Sequence, residues 1–361
     1  MQVGLLQLFQ NFRNQVSDMA AYGEEVRLAE LAEPLGFDGL WSVEHHFKEY
    51  SMCPNNLQFL TFMAGRTSKI KLGSAAVILP WHNPLRVIEE VITLDHLSGG
   101  RALLGVGRGL AQVEYDGFQV NIAESRERFE EALTLITDAV EKGYAEFDGT
   151  FYKQPRTEIR PAPFKSFRDR LYTVAMSPDS VAAAAKHSAV MMMFAQIPWA
   201  DKVADINNYR RLFHQHHGCT PPPVISVDFM FCHADPGRAE EMARQYISAV
   251  YLTTLNHYEM SGDSLKGIDE YDFFADIHDT LADSGLEAAA DQFVDLQAWG
   301  TPQQILDKLE ARGKIIGDFD LTTCCSYGGM PYGDAESSMR LFAAEVIPEL
   351  QKWAPAAEAA E

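Results

Sequence analysis

KLGSAAVILPWHNPLRVIEEVITLDHLSGGRALLGVGRG, from Lys71 to Gly109, holds one whole repeat of the fold. It opens on an apolar run, KLGSAAVIL, that reads as a strand. Asn83-Pro84 then pairs a capping residue with a proline suited to the first helical position. A second apolar run, RALLGVG from Arg101, reads as the next strand. Two strands joined through a helix must lie parallel, because a parallel pair needs a long right-handed crossover. The strands are continuously apolar rather than alternating, so both of their faces are expected to be buried.

The same unit recurs in both directions along the chain. Further strands are expected at VGLLQLF (from Val3), DGLWSV (from Asp38), RLYTVAM (from Arg170), AVMMMFA (from Ala189), VISVDFMFC (from Val224) and DFDLTTCCS (from Asp318). Ser177-Pro178, Asp235-Pro236 and Thr301-Pro302 repeat the cap-plus-proline signal. Eight such strands, each followed by a helix, predict an α/β fold: a (β/α)₈ TIM barrel forming one domain over residues 1–361. Two stretches break the rhythm, giving insertions after strands 4 and 7. Residues 144–169 carry an FDGTFY turn between β-formers and read as an inserted hairpin. Residues 257–298 are long enough to read as a lid. Residues 354–361, ending in PAAEAAE, are expected to fray.

Bulk composition narrows the function. Of 361 residues, 47% are hydrophobic, enough for a sizeable core. A formal charge of −21 argues against non-specific nucleic-acid binding, which needs a basic surface. No apolar run reaches membrane-spanning length. The start, MQVGLLQLFQ, reads as a strand rather than a leader peptide. The five cysteines form no CxxC and suit a reducing, cytoplasmic compartment.

Barrel enzymes carry their chemistry at the C-terminal ends of the strands. Strand two ends in Glu44-His45-His46. Alternation puts Trp41, Val43 and His45 on one side and Ser42, Glu44 and His46 on the other, so a single imidazole faces the axis. One inward histidine with no second ligand nearby suits a general base or a hydrogen-bond donor better than a metal site. The pair also fits a structural role, hydrogen-bonded to neighbouring loops. Small residues at Gly73 to Val77 let a flat ligand approach the backbone. Gly105-Val106-Gly107-Arg108-Gly109 lacks dinucleotide-fingerprint spacing but lets Arg108 reach an anion. Ser177 caps a helix whose N–H groups, with the Ser180 hydroxyl, form a second anion site next to Arg108. The HQHHGC run (His214 to Cys219) sits at the opposite end of the barrel. It suits a helix C-terminus, so no metal site is expected there. Phe9, Trp81, Met191 to Met193, Phe194 and Trp199 are candidates for an apolar wall or for core.

These stretches resemble the bacterial luciferase family of flavin-dependent monooxygenases, in its luciferase alpha-chain-like branch. The matching segments are LGFDGLWSVEHHF, LGSAAVILPWHNPLRVIEEVITLDHLSGGR, GVGRGL, YTVAMS and SMRLFAAEVIPEL, spread over nearly the whole chain. The resemblance implies FMN, received as FMNH2 from a separate NAD(P)H:flavin reductase. It implies O2 as co-substrate, a C4a-peroxyflavin, and oxygenation of a small apolar organic substrate such as an aldehyde, ketone or terpene. It implies that His45 is the catalytic histidine and that a cis peptide joins Ala75 to Ala76 beneath the flavin ring. It implies that Arg108 holds the phosphate, that Leu110 touches the ring through its backbone, and that Met176, Ser177 and Ser180 line the flavin tail and phosphate. A homodimer is implied as well. Where luciferase has a cysteine this chain has Gly107, and where it has an acid this chain has Met176. The tryptophans of its substrate pocket are missing near Ala195 and Val250. The cradle is thus kept while the substrate wall differs. A non-catalytic flavin-binding protein, a deazaflavin (F420)-dependent oxidoreductase and a metal-dependent hydrolase are the alternatives on the same barrel.

Overall fold

The computed structural model describes residues 1–259 and 285–353. Most of the expected lid, and the expected tail, lie outside the described residues. The eight barrel strands are present. In chain order the strands are β1 (Val3–Gln7), β2 (Gly39–Ser42), β3 (Lys71–Ser74), β4 (Val77–Ile78), β5 (Ala102–Gly107), β6 (Tyr144–Asp148), β7 (Lys153–Glu158), β8 (Leu171–Val174), β9 (Val190–Phe194), β10 (Val224–Phe229), β11 (Phe231–Cys232), β12 (Trp299–Gly300) and β13 (Phe319–Cys324). Parallel pairing runs β3-β2-β1-β13-β10-β9-β8-β5 and closes through β3 against β5, where Leu72 faces Ala102. β4 continues β3 beyond a break and pairs with β5, Val77 facing Val106. The chain is a closed (β/α)₈ barrel.

All eight expected strands prove shorter, and two are interrupted. KLGSAAVIL is interrupted at the Ala75-Ala76 peptide, which is cis. VISVDFMFC splits at Met230, and its tail β11 pairs with β12 outside the barrel. The inserted hairpin is β6 against β7, antiparallel, with a bulge between Ala145 and Phe147. It ends at Glu158, so residues 159–169 of the expected segment are irregular. Its turn is clamped by Glu131, whose carboxylate accepts from the N–H groups of Thr150, Phe151 and Tyr152.

Trp41 lies across the barrel interior, with a second cavity below it at the N-terminal end. A Cβ on Gly4, Gly39 or Gly73 would come within 2.7, 2.9 and 2.3 Å of that indole. Three neighbouring strands therefore need glycine where they face the ring. Above it Leu6, Val43, Met192, Val227 and Cys324 continue the interior packing. Outside, buried helix faces cover the strands, including those of α3 (Pro84–Leu97) and α5 (Ser125–Lys142). Phe9, Met191 and Met193 belong to this outer core, so they are not substrate wall. The cap signals hold: Asn83, Ser177, Asp235 and Thr301 each accept from a backbone N–H in the first turn of their helix. His214 to His217 close α7 (Trp199–His217), and Nε2 of His217 lies 2.8 Å from the Ala185 carbonyl. Among the described residues no helix is long and apolar enough to cross a membrane.

Candidate active site

At the C-terminal mouth of the barrel opens a cleft of about 1320 Å³, counted to its open rim. Its lining contains His45, Ala75, Ala76, Arg108, Leu110, Met176, Ser177 and Ser180. The eight residues singled out from the sequence thus share one cavity.

The floor is flat and small. Ala75 and Ala76 sit at the break between β3 and β4, and Gly107 ends the neighbouring β5. A Cβ on Gly107 would stand 3.3 Å from that of Ala76 and 3.0 Å from Ile78. Asn56, buried at the start of α2 (Asn56–Ala64), pins this floor by donating to the carbonyls of Ala76 and Ser42 at 3.0 and 3.2 Å. Its sequence context gives no sign of this role.

One end of the cleft carries Arg108 and a helix start at Ser177. Arg108 follows β5, and Nη1 lies 3.5 Å from the Ser125 hydroxyl. Tyr115 donates its hydroxyl proton to the Arg108 carbonyl at 2.5 Å. Arg126, at the start of α5, approaches Asp179 of α6 (Pro178–Lys186) to 3.6 Å. Two arginine-bearing turns therefore meet the α6 N-terminus, where helix N–H groups favour negative charge. Ser177 and Ser180 form a reciprocal capping box. The Ser180 hydroxyl accepts from the N–H groups of Met176 and Ser177 and donates to the Ser177 carbonyl at 2.7 Å. A phosphate role for Ser180 requires that proton to turn away from the cap.

At the other end stands His45. Nδ1 lies 3.1 Å from Oε1 of Glu114, and Nε2 lies 3.3 Å from the Tyr258 hydroxyl. Alternation correctly put this imidazole inward and His46 outward, where its Nε2 meets Glu44 at 3.1 Å. Glu44 is fully buried and also receives His82 at 2.7 Å and the Ile78 N–H at 3.1 Å. Burial alone would raise its carboxyl; the hydrogen bonds from His46 and His82 hold it below the usual range instead.

One expectation is corrected here. His45 does have further donor groups beside it. Glu114 comes from α4 (Gln112–Phe118) and His257 from the end of α8 (Pro236–His257). Ring and carboxylate atoms of His45, Glu114 and His257 all lie within 4.8 Å of one another. Oε1 of Glu114 accepts the His46 backbone N–H at 2.7 Å, so hydrogen bonds already occupy it. Burial opposes ionisation of Glu114, but His45 and His257 beside it hold its carboxyl down at about 2. Burial also pushes the His257 imidazole down to about 4, which leaves it neutral. The cluster is an anionic carboxylate between two imidazoles. Tyr50 completes it, its ring stacked on His257 at 4.4 Å.

Walls between these ends are apolar. Leu6, Leu8, Val43, Ile78, Trp81, Val174, Phe194, Val227, Phe229 and Phe293 face the cleft. Trp81 and Phe194 are therefore wall, whereas Trp199 is buried under the Arg312 guanidinium, 4.3 Å from its ring.

The profile of the luciferase-like monooxygenase family matches residues 1–318. The chain belongs to the luciferase-like monooxygenases. Among relatives of this family, an alkanal monooxygenase alpha chain from Photorhabdus luminescens is 29% identical over 338 residues, 91% of each protein. Monooxygenase RslO1 from Streptomyces bottropensis superposes with a TM-score of 0.79 at 25% identity, covering 97% of this chain and all of that one, 100%. The oxygenating constituent of 3,6-diketocamphane monooxygenase from Pseudomonas putida, solved with FMN, gives 0.77 at 18% identity over 97% and 99% of the two chains. The fold is shared more widely. A coenzyme F420 dependent tetrahydromethanopterin reductase from Methanopyrus kandleri scores 0.65 at 20% identity over 97% and 98%. In this luciferase-like monooxygenase the cleft combines a small-residue floor, an arginine and a helix start at one end, and the His45–Glu114 pair at the other.

Proposed function

We propose that this protein is the oxygenase of a two-component system. It takes reduced FMN from a separate NAD(P)H:flavin reductase and uses O2 to oxygenate a small apolar substrate such as an aldehyde, ketone or terpene. The observation that carries this reading is the placing of Arg108 with the α6 N-terminus, the Ala75-Ala76-Gly107 floor, and the His45–Glu114 pair along one cleft. The residues fit FMN by their chemistry: guanidinium and helix N–H groups for a phosphate, a glycine-and-alanine surface for a flat ring. A relative solved with FMN supports the same choice. Homodimerisation belongs to this proposal through the family likeness.

Reduced flavin, when bound, supplies the two electrons that activate O2. The chain's own residues do the rest. Arg108 and the helix start anchor the anionic end. The apolar walls exclude water, which strengthens every charge interaction inside. Glu114 fixes the His45 ring through Nδ1, leaving Nε2 to hold or move a proton at the cavity face. A positioned base of this kind contributes roughly 10²–10⁴-fold.

Two substitutions test the reading. His45→Ala should keep FMNH2 affinity and lose oxygenated product by about 10²-fold or more. Arg108→Ala should weaken FMN binding far more than riboflavin binding; equal losses would remove the phosphate role. An F420-dependent oxidoreductase is the second reading, favoured by the F420-dependent relative on this fold. Titration with FMNH2 and reduced F420, with O2 uptake recorded for each, separates the two.

A further inference from the structure

His257 is 1% exposed, and neither of its ring nitrogens has a hydrogen-bond partner among the described residues. Its Nε2 lies 3.5 Å from Oε1 of Glu114, whose same oxygen meets Nδ1 of His45 at 3.1 Å. The flavin cleft is lined by His45, Glu114, Tyr50 and Tyr258, but not by His257. Instead His257 forms the wall of a second, smaller cleft together with Gln10, Arg13, Lys48, Glu49 and Asn256. Arg13 and Asn256 are exposed there. One imidazole therefore stands between a dry catalytic cluster and a polar surface.

We infer that His257 is the outer station of a proton path that joins His45 to water at the back of the site, so that protons cross without the flavin cleft being opened. Exit runs as follows. His45 takes a proton at Nε2 and gives its Nδ1 proton to Glu114. Glu114 passes it to Nε2 of His257, whose Nδ1 is shut from solvent at rest and releases its proton when local opening of the second cleft's wall lets water reach it. No electrons move, and one proton enters for each one that leaves. The reverse sequence delivers a proton to the cavity. Distances of 3.1 and 3.5 Å suit short hops after slight closure of the second gap.

The charges around His257 suit transit rather than storage. It faces Glu114 on α4, His45, Lys48, Glu49 and Tyr50 on the segment after β2, Arg13 after β1, and Tyr258 on its own chain end. Burial, with smaller effects of His45 and Lys48, keeps the ring neutral against the pull of Glu114. Glu114 carries the proton only in passing, because its carboxyl is held down at about 2. Tyr50, stacked on the ring, holds its plane.

The inference rests on the flavin-oxygenase reading only for its purpose, so the test does not require flavin. In the ligand-free protein, the imidazole N–H of His45 is followed by nitrogen NMR and its exchange with water measured. His257→Phe keeps the stacked ring and removes both nitrogens. Exchange at His45 should slow by about tenfold or more, while far-UV circular dichroism and FMN affinity stay unchanged. In His257→Ala, added imidazole should restore the exchange, and in turnover it should restore the parent's pH profile. Unchanged exchange in His257→Phe overturns the path. So does a stoichiometric divalent metal found by elemental analysis in the parent and lost from His257→Phe, since the cluster would then be a chelating site. Slowed exchange in a protein that binds no flavin would uphold the path and sink the oxygenase reading instead.

Discussion

Glu25 sits fully buried on α1 (Asp18–Leu31), accepting the Ser326 hydroxyl at 2.7 Å on one oxygen while the other lacks a hydrogen-bond partner. Burial pushes its carboxyl up from 4.5 to about 7. The folded state therefore binds this proton more tightly than the unfolded chain does. That contribution is fully present below about pH 4.5 and is lost as pH rises through about 7. Its size is roughly 3 kcal/mol, from 1.36 kcal/mol for each pKa unit. Glu25→Gln keeps a neutral, similarly sized group, so it should flatten this slope and leave the variant more resistant to urea than the parent at about pH 8. Parallel urea midpoints for the two proteins from about pH 5 to about pH 8 would contradict this. No sequence signal separates Glu25 from the half-buried Glu24 beside it, because burial is decided by what packs on the helix. His45 was different: strand alternation alone aimed it inward.

Elements were legible where local chemistry fixes them. Four cap-plus-proline pairs started helices as expected because the capping oxygen and the proline ring act within one turn. Interruptions of strands were less legible: the cis peptide at Ala75-Ala76 was implied by the family resemblance and is present, but its cutting of the strand and the split at Met230 were not expected from the sequence. β3 breaks at Ala75-Ala76 although the run continues into apolar Val77-Ile78-Leu79, and β5 holds its place through an exchange between Ser74 and Gly105. The Ser74 hydroxyl donates to the Gly105 carbonyl at 2.8 Å and accepts its N–H at 2.9 Å. A Cβ on Gly105 would stand 1.9 Å from the Ser74 carbonyl oxygen. Gly105→Ala is therefore expected to cost about 3 kcal/mol or more by forcing β3 and β5 apart where the barrel closes. Urea unfolding within about 1 kcal/mol of the parent would show that the two strands can shift to accept a methyl group.

Two buried ion pairs tie the whole molecule together. Asp95 of α3 receives Arg170, just before β8, at 2.6 and 3.0 Å. Asp228 of β10 receives Arg312, from the helix Pro302–Ile316, at 2.7 and 2.6 Å. Each pair joins segments far apart in sequence, 75 and 84 positions, and removing one partner leaves a charge buried alone. Asp228→Asn should cost about 3–5 kcal/mol in thermal unfolding, and Asp228→Leu combined with Arg312→Met should recover most of it. A double variant no more stable than Asp228→Asn would show that Arg312 does more than answer Asp228; it also donates to the Leu296 carbonyl and lies over Trp199.

The sequence alone determined the barrel, its strand count, and the cavity-facing residues His45, Arg108 and Ser177, because hydrophobic period, caps and strand ends are written locally. Only the tertiary structure decided what surrounds His45. Glu114 stands 69 positions from it and Tyr258 stands 213. An acid in a short helix and an aromatic at a helix end look ordinary until barrel closure and the packing of α8 bring them to one imidazole. Charge placement of that kind is set by three-dimensional proximity, which no local pattern encodes.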